Sequence, residues 1–203
     1  MGWDDDRDER TIMTSVPARP AGSNTINPFL MTDDAARIIA FLIDVFGAVD
    51  VAEARTLDTD GLILHSELRI GDSVITIADR KPDWPFTPGF VQVYVDDVEA
   101  TLERAQRLGA RIVTRPTDFF GDTFSRFSDP SGNLWWVYRH EPQAASEWSA
   151  ESDAEGGADW EADGADGAAG AEDWSDFSSP ELEYIHESLV AAMSALRDPR
   201  QPR

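Results

Sequence analysis

The 203-residue sequence contains no cysteine and only three histidines. The absence of cysteine excludes disulfides and thiolate metal sites. No apolar run approaches the length of about 18 residues that a membrane-spanning helix needs. The N-terminal residues MGWDDDRDER are acidic, whereas a signal peptide begins with basic residues followed by an apolar stretch. We therefore expect a cytoplasmic protein that does not contact a membrane.

Basic residues are also scarce, with 17 Lys and Arg against 39 Asp and Glu, which gives a net charge of -22. Within residues 141–180 there are 12 acidic residues and no basic one, and Ala and Gly make up much of the rest. This composition predicts a disordered acidic linker at 141–178. Residues 1–23, which carry Pro, Gly and Ser without a hydrophobic period, are predicted to be disordered as well. Such acidity argues against a nucleic-acid partner, because phosphate binding needs basic patches.

Residues 24–140 contain two similar halves, each with a helix-length amphipathic segment that opens with Asp-Asp and stops at a glycine. The two segments are TDDAARIIAFLIDVFGAVDV (32–51) and VDDVEATLERAQRLGARIV (95–113). Asp34 and Asp97 are predicted to cap free backbone amides at the helix starts. Gly47 and Gly109 are predicted to supply the left-handed turn that ends each helix.

One extended run precedes each helical segment, and three follow it. These runs are TINPFLM, VAEARTL, LILHSELRI and SVITIA in the first half, and GFVQVYV, ARIVTRP, DTFSRFS and NLWWVYR in the second. Runs of this length, rich in β-branched and aromatic residues, are typical of strands. The sequence therefore predicts an α+β domain made of two consecutive βαβββ modules.

In these motifs and their order the chain resembles the vicinal oxygen chelate superfamily, which includes glyoxalase, bleomycin-resistance proteins and dioxygenases, and in particular its PhnB-like branch. The resemblance is carried by IIAFLIDVFGA, HSELRIGDSVITIADR, VQVYVDDVEATLERAQRLGA and FFGDTFSRFSDPSGNLWWVYRH. It implies that residues 24–140 form a glyoxalase/bleomycin-resistance-like domain in which the two modules build a cupped, barrel-like mixed sheet. It also implies a homodimer.

Metal-dependent members of the superfamily place four metal ligands in the cup. Alignment with that pattern puts these positions at Asn27, Thr76, Phe90 and Trp136. A divalent cation needs imidazole or carboxylate donors, and none of the four residues is a usual ligand. We therefore expect no metal and no cofactor, and the resemblance then favours a protein that binds a small molecule over an enzyme.

Strand alternation indicates which residues would line the cup. In GFVQVYV it places Phe90, Gln92 and Tyr94 on one face, and it leaves an all-valine face for packing under a helix. The predicted ligand-binding residues are Asn27, Phe29, Met31, Thr76, Phe90, Gln92, Tyr94, Trp136 and Tyr138. A lining of this kind suits an aromatic or hydrophobic ligand. Alternatively, the same rings fill the cup as core.

An enzymatic alternative depends on His65 and Glu67, which lie two residues apart on one strand face. The run LILHSELRI places Leu64, Leu68 and Ile70 on the core side and this pair on the other. A carboxylate that orients an imidazole suits a general base in a lyase, isomerase or dioxygenase. The simpler interpretation is an exposed polar strand face.

The C-terminal segment SSPELEYIHESLVAAMSALRDPRQPR has apolar residues at helical spacing and predicts an amphipathic helix at 179–198. A serine cap with Pro180 in the first turn would start the helix. A helix of this length is marginal alone in water, so its apolar stripe needs a surface. That surface could belong to its own domain, to the second subunit or to another protein, and the last option makes the helix a protein-interaction module.

Overall fold

A computed structural model of the chain describes residues 19–20, 22–141 and 179–201. Apart from their ends, the predicted disordered segments 1–23 and 141–178 lie outside these residues.

Two βαβββ modules follow one another along the chain. The first consists of β1 (Phe29–Thr32), α1 (Ala35–Phe46), β2 (Val49–Leu57), β3 (Ile63–Ile70) and β4 (Ser73–Asp79). The second consists of β5 (Phe90–Tyr94), α2 (Val98–Arg107), β6 (Arg111–Phe119), β7 (Asp122–Ser128) and β8 (Leu134–Arg139). A further helix, α3 (Pro180–Ser194), lies near the C-terminus.

Each module forms a four-stranded mixed sheet, with the order β1-β4-β3-β2 in the first and β5-β8-β7-β6 in the second. The first strand of each module runs parallel to the fourth, and the other pairings are antiparallel. The prediction of an α+β fold with two βαβββ modules is confirmed, and the arrangement is consistent with a cupped open sheet.

Both predicted helix starts are confirmed. The side chain of Asp34 accepts a hydrogen bond from the backbone N–H of Arg37, and Asp97 does the same for Ala100. The first helix ends at Gly47, whose φ of 67° lies in the left-handed region that glycine adopts without strain.

Helices α1 and α2 pack against each other and against the two sheets, and the core lies between these layers. Ile75, Ile77 and Leu68 lie in this core, as the strand alternation predicts, and the two valines of β5 and the following Val95 pack against it. The prediction for Leu64 is wrong, because its side chain is 49% exposed. It lines a small surface cavity with Phe29 instead of contacting α1.

Helix α3 packs on the second sheet of its own chain, mainly along β6. Its start is capped by Ser179, whose hydroxyl accepts a hydrogen bond from the backbone N–H of Leu182. Ile185 and Ala192 are its buried residues. Beyond the helix, Asp198 forms an ion pair with Arg80, which directly follows β4. In the described part of the chain no helix combines the length and the apolar character that crossing a membrane requires.

Candidate ligand-binding site

A row of four side chains crosses the outer face of the second sheet, by which we mean the face opposite the core. In the strand register Gln92 is paired with Trp136, Trp136 with Arg126, and Arg126 with Thr114. Because side chains alternate along a strand, the neighbour Trp135 points the other way and is fully buried in the core. The two adjacent tryptophans of β8 therefore belong to different environments.

Aromatic rings surround this row. The Phe90 and Trp136 rings meet edge to face with centroids 5.9 Å apart, and those of Tyr94 and Tyr138 are 5.4 Å apart. The Phe124 ring lies 4.9 Å from that of Tyr138. Phe90 remains 51% exposed and Tyr94 61% exposed, although both lie in a regular strand. The outer face therefore offers aromatic surface to a ligand or partner.

The guanidinium of Arg126 lies within this aromatic group and is only 5% exposed. Its central carbon is 4.7 Å from the centroid of Phe124 and 5.2 Å from that of Trp136, which are cation–π distances. Nη1 donates to the backbone carbonyl of Ile185 at 2.7 Å and to the Thr114 hydroxyl at 3.3 Å. Nε is buried and has no acceptor among the residues that the structure describes.

Burial shifts the titration of two groups on this face. It lowers the pKa of Arg126, because the charged form loses its hydration. It also raises the pKa of the Tyr138 hydroxyl, an effect that the positive charge of Arg126 opposes. At neutral pH the face therefore contains a neutral phenol and a cation, since an arginine loses its proton only far above neutral pH.

The turn before β8 holds both tryptophans in place through Asp129. Its buried carboxylate accepts hydrogen bonds from the backbone N–H groups of Ser131 and Asn133, at 2.9 and 3.0 Å. It also accepts from the side-chain amide of Asn133 at 2.8 Å and from the indole N–H of Trp135 at 3.0 Å. Anchoring Trp135 in this way keeps the register that turns Trp136 outward.

The outer face of the first sheet carries the candidate catalytic pair. Nε2 of His65 lies 3.2 Å from Oε1 of Glu67, and both side chains are partly exposed. Glu67 is paired in register with Thr76, which is paired in turn with Phe29. The pair therefore lies on the same sheet face as two of the predicted ligand-binding residues.

The structure divides the nine predicted ligand-binding residues between the two sheets. Phe29 and Met31 line a cavity of about 200 Å³ on the first sheet. Gln92 and Tyr94 line a cleft of about 760 Å³ between the modules. Asn27 lies before β1, where its side chain exchanges hydrogen bonds with the backbone of Asn24.

The residues present do not fit a metal of the superfamily type. Thr76 is half-buried, and Phe90 and Trp136 contact each other through their rings. Within residues 19–20, 22–141 and 179–201 there is no group of three or more His, Cys, Asp or Glu side chains able to hold a metal ion. We therefore derive no chemical step through a metal.

Sequence reasoning missed Phe124 and Arg126. A signal for both was present, because DTFSRFS alternates and places these two side chains on the face opposite Phe127, a core residue. No signal in the sequence indicated that α3 would cover Arg126.

Comparison with protein families matches residues 24–137 to the glyoxalase/bleomycin resistance protein/dioxygenase superfamily. Among curated relatives, the uncharacterized protein Mb0911c of Mycobacterium bovis is 32% identical over 122 residues, which cover 54% of this chain and 79% of the relative. The uncharacterized protein Rv0887c of Mycobacterium tuberculosis is also 32% identical over 122 residues, covering 54% of this chain and 71% of the relative.

Solved structures with a similar fold include TioX from Micromonospora sp. ML1, at 25% identity and a TM-score of 0.46, covering 58% of this chain and 97% of that one. The protein PA1353 from Pseudomonas aeruginosa has 20% identity and a TM-score of 0.48, with 58% and 98% coverage. The fosfomycin resistance protein FosX from Listeria monocytogenes has 17% identity and a TM-score of 0.48, with 60% and 97% coverage.

Proposed function

The chain belongs to the glyoxalase/bleomycin resistance protein/dioxygenase superfamily, and from that premise we propose that it is a metal-free protein that binds a small aromatic or hydrophobic molecule. The proposed site is the outer face of the second sheet, around Phe90, Tyr94, Trp136 and Tyr138. Membership of the PhnB-like branch and a cytoplasmic location remain predictions.

The observation that carries this proposal is the exposure of Phe90 and Tyr94, at 51% and 61%, beside two further rings. Covering the exposed half of one such ring removes about 100 Å² of apolar surface from water. At about 25 cal/mol per Å², each ring would contribute roughly 2.5 kcal/mol to binding, before the costs of association. The two rings together would contribute about 5 kcal/mol, which is close to the lower end of the cost of association, so measurable affinity also needs contacts with Trp136 and Tyr138.

An enzymatic function remains the alternative, and the 3.2 Å contact between His65 and Glu67 is the observation that favours it. Both side chains are partly exposed, at 41% and 34%, which is common for a surface pair that contributes little. Among the described residues, no third group forms a hydrogen bond or an ion pair with the side chains of this pair. For this reason we rank binding above turnover.

We also propose a homodimer. Each chain presents two apolar outer faces, one with Phe29 and Met31 and the other with Phe90 and Tyr94, and all four side chains are at least 36% exposed. A second copy that set the first sheet of one chain opposite the second sheet of the other would enclose the proposed ligand site between the two faces. Because α3 already contacts its own sheet, it could bind another protein through its exposed side chains, such as Val190 and Met193, or by leaving that sheet.

The test is a ligand-observed NMR titration with 2-naphthamide, a neutral planar probe. The Trp136→Ala variant should bind the probe at least tenfold more weakly than the unaltered chain. Leu108→Ala, which also truncates an exposed apolar side chain, at the end of α2, should bind as well as the unaltered chain. Equal affinity in the Trp136→Ala variant would overturn the site, and a monomeric mass in sedimentation would overturn the dimer.

A further inference from the structure

We propose that the outer-face site takes an aromatic carboxylate and that Arg126 binds the carboxylate group of this ligand. The inference rests on the proposed function, since it names the chemical class of molecule that the same site would hold.

Two buried arginines differ in whether a carboxylate is paired with them. Arg80 is 3% exposed, and its guanidinium is paired with the carboxylate of Asp198 through two hydrogen bonds. Arg126 is 5% exposed, yet within the described ranges no carboxylate pairs with it. A buried charge without a counter-ion is costly, so such groups are normally paired. The chain has 39 acidic residues to draw on, but Arg126 receives only neutral partners from the described ones.

The guanidinium of Arg126 forms its hydrogen bonds from one nitrogen only among the described residues. Both hydrogen bonds that Arg126 makes to described residues come from Nη1, to Ile185 and Thr114. Nε is buried with no acceptor, so the edge formed by Nε and Nη2 is not used by these bonds. A carboxylate accepts two parallel N–H bonds from one edge of an arginine fork. The unused edge therefore has the donor pattern that a carboxylate requires.

Aromatic rings lie next to the guanidinium of Arg126. The rings of Phe124 and Trp136 are at cation–π distance from Arg126, and Phe90 contacts Trp136. A planar ring attached to a carboxylate would stack on these side chains while its anionic end reaches the guanidinium. Because α3 supplies the carbonyl of Ile185 and covers Arg126, entry of the carboxylate requires α3 to shift.

The experiment compares 2-naphthoate with 2-naphthamide, which have the same ring system and differ in charge. Both are titrated against the full chain at 150 mM salt by ligand-observed NMR. We expect naphthoate to bind at least tenfold more tightly. With a net charge of -22, non-specific electrostatics would favour the neutral amide, so a preference for the anion points to a local positive site.

Equal affinities, or tighter binding of the amide, would overturn the role of Arg126 and leave the proposed function intact. Failure of both probes to bind would overturn the two proposals together. In a ¹⁵N-labelled sample, the amide signal of Ser188, whose hydroxyl contacts Thr114, should shift with naphthoate and not with naphthamide. A Ser188 signal that does not respond to naphthoate would contradict entry beside α3.

Substitution of Arg126 separates the effect of its guanidinium from that of the surrounding rings. Arg126→Gln should abolish the preference for naphthoate, so that the two probes bind this variant with equal affinity. Arg126→Lys, which keeps the charge but loses the fork, should retain only part of the preference. If Arg126 serves only to hold α3 on the sheet, naphthoate will show no preference in the unaltered chain. Because that comparison needs no variant, the proposal remains testable even if Arg126→Gln does not fold.

Discussion

Replacing Asp198 with Asn should destabilise the whole domain, although this residue lies 118 positions from its partner along the chain. Oδ2 of Asp198 accepts a hydrogen bond from Nη1 of Arg80 at 3.0 Å, and Oδ1 accepts one from Nη2 at 2.5 Å. The Arg80 side chain is 3% exposed and that of Asp198 14%. The substitution would leave a buried guanidinium without a counter-ion.

Breaking a fully buried ion pair by removing one partner costs about 3–5 kcal/mol. Two features of the structure reduce this figure. Asp198 is partly reached by water, and Arg80 keeps a hydrogen bond to the Trp84 carbonyl at 2.9 Å and a position 5.8 Å from the Phe86 ring centroid. We therefore expect the free energy of unfolding to fall by about 2 kcal/mol.

The pair also predicts a pH dependence. The hydrogen bond from Arg80 lowers the pKa of Asp198 below its ordinary value of 3.8. The resulting stability is fully present above pH 3.8 and is lost as the pH falls through the lower pKa of the folded state. The Asp198→Asn variant should not show this loss of stability at acidic pH.

The assay is urea unfolding at pH 7, followed by circular dichroism. The control, Asp44→Asn, removes an exposed carboxylate on α1 and should change stability by less than about 0.5 kcal/mol. If Asp198→Asn matches the unaltered chain, the C-terminal residues do not stabilise the domain, and the reasoning from burial is refuted.

Two further predictions concern the turn before β8 and the end of α1. Asp129→Ala removes the shared acceptor of four hydrogen bonds in a buried turn. It should lower the free energy of unfolding, measured by calorimetry, by about 3 kcal/mol. A decrease under about 1 kcal/mol would contradict that role. Gly47→Ala should lower the free energy of unfolding by about 1 kcal/mol, because a φ of 67° is strained for alanine. An added Cβ would meet no atom within 4 Å, so no steric clash adds to this cost. An unchanged free energy of unfolding in the same assay would show that the backbone relaxes.

Much of the fold followed from local patterns. The alternation of GFVQVYV correctly separated the outward Phe90, Gln92 and Tyr94 from the valines that pack on the core. Asp34 and Asp97 were correctly predicted as helix caps, because capping depends on residues three positions apart. The pattern failed at Leu64, because the alternation breaks at the start of β3, where Ile63 joins the core and Leu64 is exposed.

The candidate site was less accessible to such reasoning. The sequence placed Phe29 and Met31 in one cup with Phe90 and Trp136, and these residues lie on the sheets of the first and the second module, respectively. Arg126 was not predicted as a site residue, because an arginine in a strand is ordinarily an exposed charge. Only burial by α3 and two rings distinguishes Arg126 from the other arginines of the domain.

By itself, the sequence determined the two βαβββ modules, the helix caps and the side of β5 that faces the core, because those features depend on hydrogen bonds and side-chain periods within about ten residues. The tertiary structure decided which distant segments meet. It brought α3 onto β6, joined Asp198 to Arg80, and buried Arg126 without a carboxylate among the described residues. These contacts depend on how helices and sheets fill shared space, and no local period encodes that packing.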